Sequence, residues 1–340
     1  MTGRIAVITG GRSSEHDISV ASARSVADTL AAAGWEVVTV EIDREGAWAL
    51  STPARELEPP NQPREKLVLA RLPGRSVATA LASVDVVFPV LHGPHGEDGT
   101  VQGLLELAGV PYVGAGVAAS ALCMDKDLFK SVLRDHGIPV TRNVTLRLGD
   151  GPQNPFGYPV FVKPARLGSS VGISKAHDAT ELEAAVALAF EHDEKVLVEE
   201  FVPGIEVEVG VLGGATPVAS LPGEIAVTRN EWYDYAAKYE EGEMDLHVPA
   251  RISDEQTTRA QELAVRSFVA TECEGMARVD MFVRDDGEVL VNELNTIPGF
   301  TSTSVYARLF AASGIEYGDL LERLIALARE RHERRRNLRF

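Results

Sequence analysis

RVDMFVRDDGEVLVNELNTIPGFTSTS, residues 278–304, is the stretch whose reading decides the fold. Two β-rich runs, Arg278–Val283 and Glu288–Glu293, flank Asp285-Asp286-Gly287, a hairpin-turn signal. Side chains alternate faces along a strand, so Arg278 and Asp280 point one way and Val279 and Met281 the other. On the returning strand Glu293 and Asn295 again share a face. One surface therefore carries three oxygen ligands, Asp280, Glu293 and Asn295, beside the fixed positive charge of Arg278. Two carboxylates and an amide oxygen suit Mg²⁺, which keeps places for phosphate oxygens and water. Taken alone, the same face reads equally well as scattered, solvated charge. The Thr-Ile-Pro-Gly-Phe-Thr-Ser-Thr-Ser that follows tips the reading, because a stiff Pro-Gly turn lined with hydroxyls is ligand-loop chemistry.

The 340-residue chain is long enough for two or three domains. Its net charge of −17 argues against non-specific binding to nucleic acid or an anionic membrane. Cys123 and Cys273 stand far apart in the sequence and match neither a zinc site nor a disulfide framework, so both are expected to be small core residues. No targeting segment precedes the first strand, and no apolar run reaches membrane-spanning length. The expectation is a soluble, cytoplasmic protein.

Ile5–Thr9 has buried-strand length and runs into Gly10-Gly11 and then a helix with Ile18, Val26, Leu30 and Ala33 on one stripe and Ser22 between. Ser14 and Asp17 have capping-box spacing. Glu36–Ile42 is the next strand, so the N-terminal region is expected to hold a mostly parallel sheet. Gly10-Gly11 lacks the G-x-G-x-x-G of a dinucleotide site. Glu15 sits where strand hands over to helix; it is either functional or a carboxylate favoured by the helix dipole. Residues 43–80 read as a loosely structured insertion with one short strand near Leu67–Leu72. Val84–Leu91 ends in His92-Gly-Pro-His-Gly-Glu-Asp-Gly99, a loop that lets backbone approach a ligand.

Leu122–His136 reads as one helix bearing Asp125, Lys126 and Lys130. Pro159–Lys163 is a strand with a lysine at its end, and Gly168-Ser169-Ser170 lies in the loop before the next strand. Small residues between antiparallel strands let N–H groups and hydroxyls fold over phosphates, although no Walker A motif occurs. Thr180–Glu183 has the spacing of a capping box, as does Ser253 with Gln256. Glu206 and Glu208 share a strand face and are either ribose ligands or solvated. Asn230–Met244, rich in Trp, Tyr and acids, has the composition of an active-site lid or of a loop pinned by its rings. Tyr317–Arg331 is a helix whose basic end is expected in solvent.

Six separated motifs now make the chain resemble the D-alanine–D-alanine ligases, ATP-grasp enzymes of peptidoglycan precursor synthesis: GGRSSEHDIS (10–19), HGPHGEDGTVQG (92–103), MDK (124–126), VKPARLGSSVGIS (162–174), YDYAAKY (233–239) and RVD…NELNTIPGFT (278–301). The resemblance covers residue 4 to about residue 330. It implies an α/β and α+β, three-domain ATP-grasp fold with an N-terminal parallel-sheet domain: residues 1–121 binding substrate, 122–211 carrying the glycine-rich phosphate loop, and 212–335 carrying metals and lid. ATP would lie between the last two domains.

By position in the motifs, Lys126 and Lys163 would hold ATP phosphates under the Gly168–Ser170 loop. Glu199, Glu200, Phe201 and Val202 would line the adenine, Glu206 would take the ribose, and Lys238 would reach the γ-phosphate from the lid. Asp280, Glu293 and Asn295 would hold two Mg²⁺, with Mn²⁺ able to substitute. Arg278 and the Gly299 N–H would form the oxyanion site. Glu15, with Ser169 and Tyr239, would fix the ammonium of the first D-alanine beside His92. Ser304 and Arg308 would receive the carboxylate of the second. The expected partners are D-alanine and ATP, not nucleic acid or membrane, and the expected assembly is a homodimer.

Asp17 replaces the Glu common after Ser-Glu-His, and Val305, Ala307 and Arg308 stand where Met, Pro and often Lys occur. The alternative is a D-alanine–D-lactate or D-alanine–D-serine ligase, which usually lacks the tyrosine lid motif that is intact here. A non-catalytic nucleotide sensor would have lost the metal ligands, and an NAD-dependent dehydrogenase needs the absent glycine fingerprint.

Overall fold

The computed structural model describes residues 3–51, 81, 83–227 and 244–339. Three sheets organise them. In the first, β1 (Arg4–Gly10) runs parallel to β2 (Glu36–Ile42) and to β4 (Val86–Pro89), and β3 (Trp48–Ser51) pairs antiparallel on the β2 edge. Ile5, Ala6, Val7 and Ile8 are all buried because both faces of β1 are covered. Helix α1 (His16–Ala32) and the C-terminal helix pack over Ile5 and Val7, while Val101 and Leu105 of α2 (Thr100–Ala108) pack over Ala6 and Ile8. At Gly10 (φ 88°) a Cβ would sit 2.2 Å from the Ile42 carbonyl oxygen, so only glycine lets the chain turn there toward α1.

Helix α1 departs from two expectations. It opens at His16 without a side-chain cap, and Asp17 pairs instead with Arg44 at 2.9 Å. Its buried stripe is Ser19, Ser22, Ala23, Val26, Ala27 and Leu30, while Ala33 is exposed. The expected Leu122–His136 helix is two, α3 (Val117–Met124) and α4 (Lys126–Asp135). They are broken at Asp125, whose extended backbone and side-chain bond from Leu128 N (3.2 Å) make it the N-cap of α4.

The second sheet is antiparallel, in the order β5 (Asn143–Arg147), β8 (Lys195–Glu200), β6 (Val160–Pro164), β7 (Ser174–Ala176), with α5 (Ala179–Phe190) over one face. Asp178, not Thr180, caps α5 by accepting from Glu181 N at 2.9 Å.

The third sheet has the order β12 (Met244–His247), β11 (Gly223–Val227), β9 (Ile205–Gly213), β13 (Gly275–Val283), β14 (Val289–Asn295), with β10 (Val218–Ala219) on β9. Because β9 pairs with β13 along its whole length, sheet membership divides the second and third units at Pro203–Gly204, ahead of residue 211. Helix α6 (Asp254–Ala270) opens with the expected Ser253/Gln256 capping box and packs on this sheet with α3 and α4. Helices α7 (Val305–Ala312) and α8 (Tyr317–Arg336) complete the described chain. Arg331 of α8 is buried rather than solvated, donating to the carbonyls of Gly114 and Tyr112.

Cys123 and Cys273 are both buried, as their composition suggested, but the fold brings their sulfurs to 3.8 Å as free thiols. No described helix is long and apolar enough to cross a membrane. The 52–80 part of the expected insertion, with its strand near Leu67–Leu72, and the lid motif lie outside the described residues.

Candidate active site

The β13–β14 hairpin forms with Asp280 opposite Glu293 and Arg278 opposite Asn295, and its register shifts between Asp280 and Met281, where Asn292 is the extra residue. Arg278 donates to both oxygens of Asp280 (2.8 and 2.7 Å), and Asn295 Nδ2 donates to Asp280 Oδ2 (3.0 Å). Arg278 Nε, one of the donors to Asp280, also lies 2.9 Å from Glu208 of β9, whose strand position pairs with Asp280. Glu208 is therefore a buried partner of the guanidinium, neither solvated nor a ribose ligand. The Nε/Nη2 edge of the guanidinium matches the Asp280 carboxylate as a planar fork, and Glu208 adds a second negative charge at Nε.

Above this ladder lies a cavity of about 450 Å³. Glu15 from the β1–α1 turn, His92 and Glu97 from the loop after β4, and Gly168 and Ser169 from the loop after β6 line one side. Arg278, Glu293, Asn295, Gly299, Ser304 and Arg308 line the other. Residues spread over nearly 300 positions thus converge on one space. Ser169 Oγ donates to the Glu15 carboxylate across two sheets. Ser169 and Ser170 both take the left-handed conformation (φ 51° and 56°), which costs about 1–3 kcal/mol per non-glycine residue and marks a loop shaped for a ligand.

His92 Nδ1–H donates to the Ile297 carbonyl (2.9 Å), which fixes the tautomer and leaves Nε2 as an acceptor. That Nε2 is buried without a hydrogen-bond partner among the described residues. Burial pushes the imidazole's pKa down, against the pull of the Glu15 charge, so the ring is neutral. Glu97 accepts from Gly93 N (2.8 Å) and Ile297 N (3.1 Å), tying the His92 loop to the Pro-Gly turn. Burial, reinforced by the charge of Glu15, raises its carboxyl to about 8 despite those two N–H bonds.

Along the edge of the ladder, Lys126 of α4 donates to the Leu167 carbonyl (2.8 Å) and pairs with Glu293 (3.2 Å). Lys163, at the end of β6, lies 2.5 Å from Glu199 and donates to Asn292 (3.2 Å). Glu199 is buried, with Lys130 of α4 on its other oxygen. Burial pushes Glu199 upward, but the two ammonium groups outweigh it and hold the carboxyl below its ordinary range. Glu200 pairs with Arg142 at 2.5 Å. Phe201 is partly exposed under the Lys175 ammonium (4.6 Å), Val202 is buried, and Glu206 is half-buried on β9. Ser304 accepts from Thr301 N (3.0 Å) at the start of α7, and Arg308 is exposed one turn on. Tyr239 and Lys238 lie outside the described residues.

Asp280 and Glu293 are directly paired, Asn295 lies two residues beyond Glu293, and Glu293 meets Lys126 at the lysine-lined edge. The donor set of two carboxylates and one amide fits a hard divalent cation. Glu97 and Lys130 are neighbours of the site that sequence reasoning left without a role, and Glu208 is one for which it offered only a ribose or solvent. For Lys130 the signal was its spacing: with Lys126 it makes an i, i+4 lysine pair on the face that also buries Phe129 and Leu133.

A parallel-sheet domain joined to two antiparallel sheets, with lysines, a serine-rich loop and a carboxylate ladder meeting between them, defines an ATP-grasp ligase. Residues 4–115 match the family model described as D-ala D-ala ligase N-terminus, and residues 132–326 match the D-ala D-ala ligase C-terminus. The chain belongs to the D-alanine–D-alanine ligase family. It is 47% identical to the D-alanine–D-alanine ligase of Mycolicibacterium paratuberculosis, over 96% of this chain and 97% of that one. It is 42% identical to that of Bacillus velezensis, over 95% and 97%. The solved D-alanine-D-alanine ligase from Coxiella burnetii superposes with a TM-score of 0.82 at 37% identity, covering 98% of this chain and 96% of that one. VanG D-Ala:D-Ser ligase from Enterococcus faecalis gives the same TM-score at 36% identity, covering 96% and 100%.

Proposed function

We propose that this chain joins two D-alanines into D-alanyl-D-alanine, at the expense of ATP, for peptidoglycan precursor synthesis. The observation that carries this reading is the cavity itself. It has a buried carboxylate that accepts from a serine, Glu15 with Ser169, in one wall, and in the other a guanidinium whose Nε edge is held by Asp280 and Glu208.

The first D-alanine binds with its ammonium against Glu15, within a set completed by Ser169 and Tyr239, and beside the His92 acceptor. Its carboxylate then attacks the γ-phosphorus of ATP, the bond to the β,γ-bridging oxygen breaks, and D-alanyl phosphate and ADP form. Lys126 and Lys163 hold the phosphates beneath Gly168, Ser169 and Ser170. Lys238 comes to the γ-phosphate, Glu199 to Val202 flank the adenine, and Glu206 meets the ribose. Asp280, Glu293 and Asn295 would hold two Mg²⁺, or Mn²⁺, which when bound neutralise phosphate charge. Alignment and charge neutralisation suffice for this step, because the protein need form no covalent bond.

Ser304 and Arg308 orient the second D-alanine by its carboxylate. Its deprotonated amine attacks the acyl carbon and phosphate leaves. Arg278 and the Gly299 N–H stabilise the tetrahedral oxyanion, about 3–4 kcal/mol for a well-placed donor. The assembly is a homodimer working in the cytoplasm. The test is phosphate release with D-alanine, D-serine or D-lactate as the second substrate, with product masses. Faster turnover with D-alanine is expected, and preference for D-serine or D-lactate would replace the reading with the corresponding alternative. Sedimentation would read the assembly.

A further inference from the structure

We propose that Lys130 is a positioning residue for nucleotide binding: it acts as the standing counter-ion of Glu199, so that Lys163 is free to turn to the phosphates of ATP. The inference rests on the reading above that Lys163 meets those phosphates.

Helix α4 delivers two lysines from one buried face. Lys126 reaches the cavity edge, where it meets the Leu167 carbonyl and Glu293. Lys130, a full turn on, has no solvent exposure and ends behind the cavity, donating to Glu199 Oε1 and to Thr141 Oγ1. The second oxygen of Glu199 holds Lys163 at 2.5 Å. One buried carboxylate thus serves two ammonium groups, only one of which stands where a phosphate can reach it.

That asymmetry has a consequence for binding. A phosphate can draw Lys163 away only if the carboxylate left behind still has a partner, because an uncompensated buried charge is strongly disfavoured. Lys130 supplies that partner, and Thr141 fixes the direction of its Nζ. Without Lys130, Glu199 has Lys163 alone and competes with ATP for it. Burial pushes the Lys130 ammonium down to about 8, and Lys163 adds to that, while the Glu199 and Glu293 charges favour its protonated form.

Lys130→Met tests this, because it keeps an unbranched side chain one atom shorter and removes the charge. The expected result is a KM for ATP about tenfold higher, with kcat at saturating ATP and both D-alanine KM values within about twofold of the parent. An unchanged ATP KM, or equal damage to every constant, overturns the proposal. Lys163→Met separates the two layers: if it too leaves the ATP KM unchanged, the placement of phosphates at Lys163 has failed and the inference falls with it. Glu199→Gln and the double variant Lys130→Met/Glu199→Gln cover the case in which Lys130→Met alone does not fold. If Lys130 acts through Glu199, these two have the same ATP KM; a further tenfold rise in the double variant overturns it.

Discussion

Glu208 and Arg278 form a buried ion pair, Oε2 to Nε at 2.9 Å, on the neighbouring strands β9 and β13. Asp280 meets the same Nε and also Nη2, so the two carboxylates hold one edge of the guanidinium while Arg278 lines the cavity. Arg278→Lys keeps the charge and loses the fork, so it should lower kcat by about 10²–10³ while leaving the KM for ATP near the parent's. Glu208→Gln keeps the shape and loosens the clamp, and about a tenfold loss of kcat is expected, or about 1.4 kcal/mol of transition-state stabilisation. Steady-state kinetics on both variants check the order of effect. A Glu208→Gln enzyme as impaired as Arg278→Lys would mean that Glu208 does more than hold the arginine.

Glu97 should give the protein a distinctive pH dependence. Burial, with the Glu15 charge added, raises its carboxyl from 4.5 to about 8. Between those values the folded protein keeps a proton that the unfolded chain has lost, so stability falls as pH rises across that window. Glu97→Gln has no such proton. Its melting temperature should be lower in acid, because one amide oxygen must serve the N–H groups of both Gly93 and Ile297, yet fall less steeply from pH 5 to pH 8. Parallel slopes for the two proteins in thermal melts would show that Glu97 is ionised throughout. Glu97 keeps partial contact with the cavity, so a bound ammonium should lower its pKa and shrink the difference.

What the sequence disclosed and what it hid divide along the distance between partners. The Asp280, Glu293 and Asn295 face was legible because strand alternation fixes it within one hairpin, and the Gly168–Ser170 loop was legible because its strands are neighbours in the chain. The role of Lys130 was not, because Glu199 is 69 residues away and only the fold brings α4, packed on the third sheet, to β8 of the second. Glu97 meets Ile297 across 200 residues, and Arg331 meets Tyr112 across 219. Composition made Arg331 part of a solvated basic tail; the tertiary fold turned one side chain of that tail inward. The two capping expectations failed differently: at α5 the cap falls two residues earlier, on Asp178, while at α1 no side chain caps the helix and Asp17 turns to Arg44, a partner 27 residues away.

Arg331 stitches α8 to the N-terminal domain. It donates to the Gly114 and Tyr112 carbonyls, and its guanidinium lies 4.2 Å from the centre of the Tyr112 ring. Arg331→Met should keep much of the packing but leave two buried carbonyl oxygens short of a donor, at a cost of about 1–3 kcal/mol each. The expected outcome is a melting temperature several degrees lower, with kcat and both KM values at 20 °C unchanged, since no atom of Arg331 lines the cavity. Calorimetry alongside an activity assay checks both halves, and altered kinetics would tie this stitch to the site.

Gly210 of β9 sets how closely α7 can approach the third sheet. A Cβ there would lie 2.7 Å from Cε2 of Phe310 and 3.2 Å from Cε2 of Tyr306, inside the limit of ordinary contact. Both rings are buried, pack edge to face, and are anchored by the Tyr306 hydroxyl donating to the Val211 carbonyl (2.9 Å). Gly210→Ala must therefore push α7 outward, because close-packed aromatic rings have no room to give. Ser304 stands at the N-cap position of that helix and Arg308 lies on it, so the displacement reaches the groups assigned to the carboxylate of the second D-alanine. The expected result is a KM for the second D-alanine raised about threefold to tenfold, with the ATP KM unchanged and stability lower by about 1–3 kcal/mol. Separate KM values for the two D-alanine sites, fitted from initial rates over a wide concentration range, provide the check. A rise confined to the first site would place Gly210 with Glu15 and His92 instead of with α7.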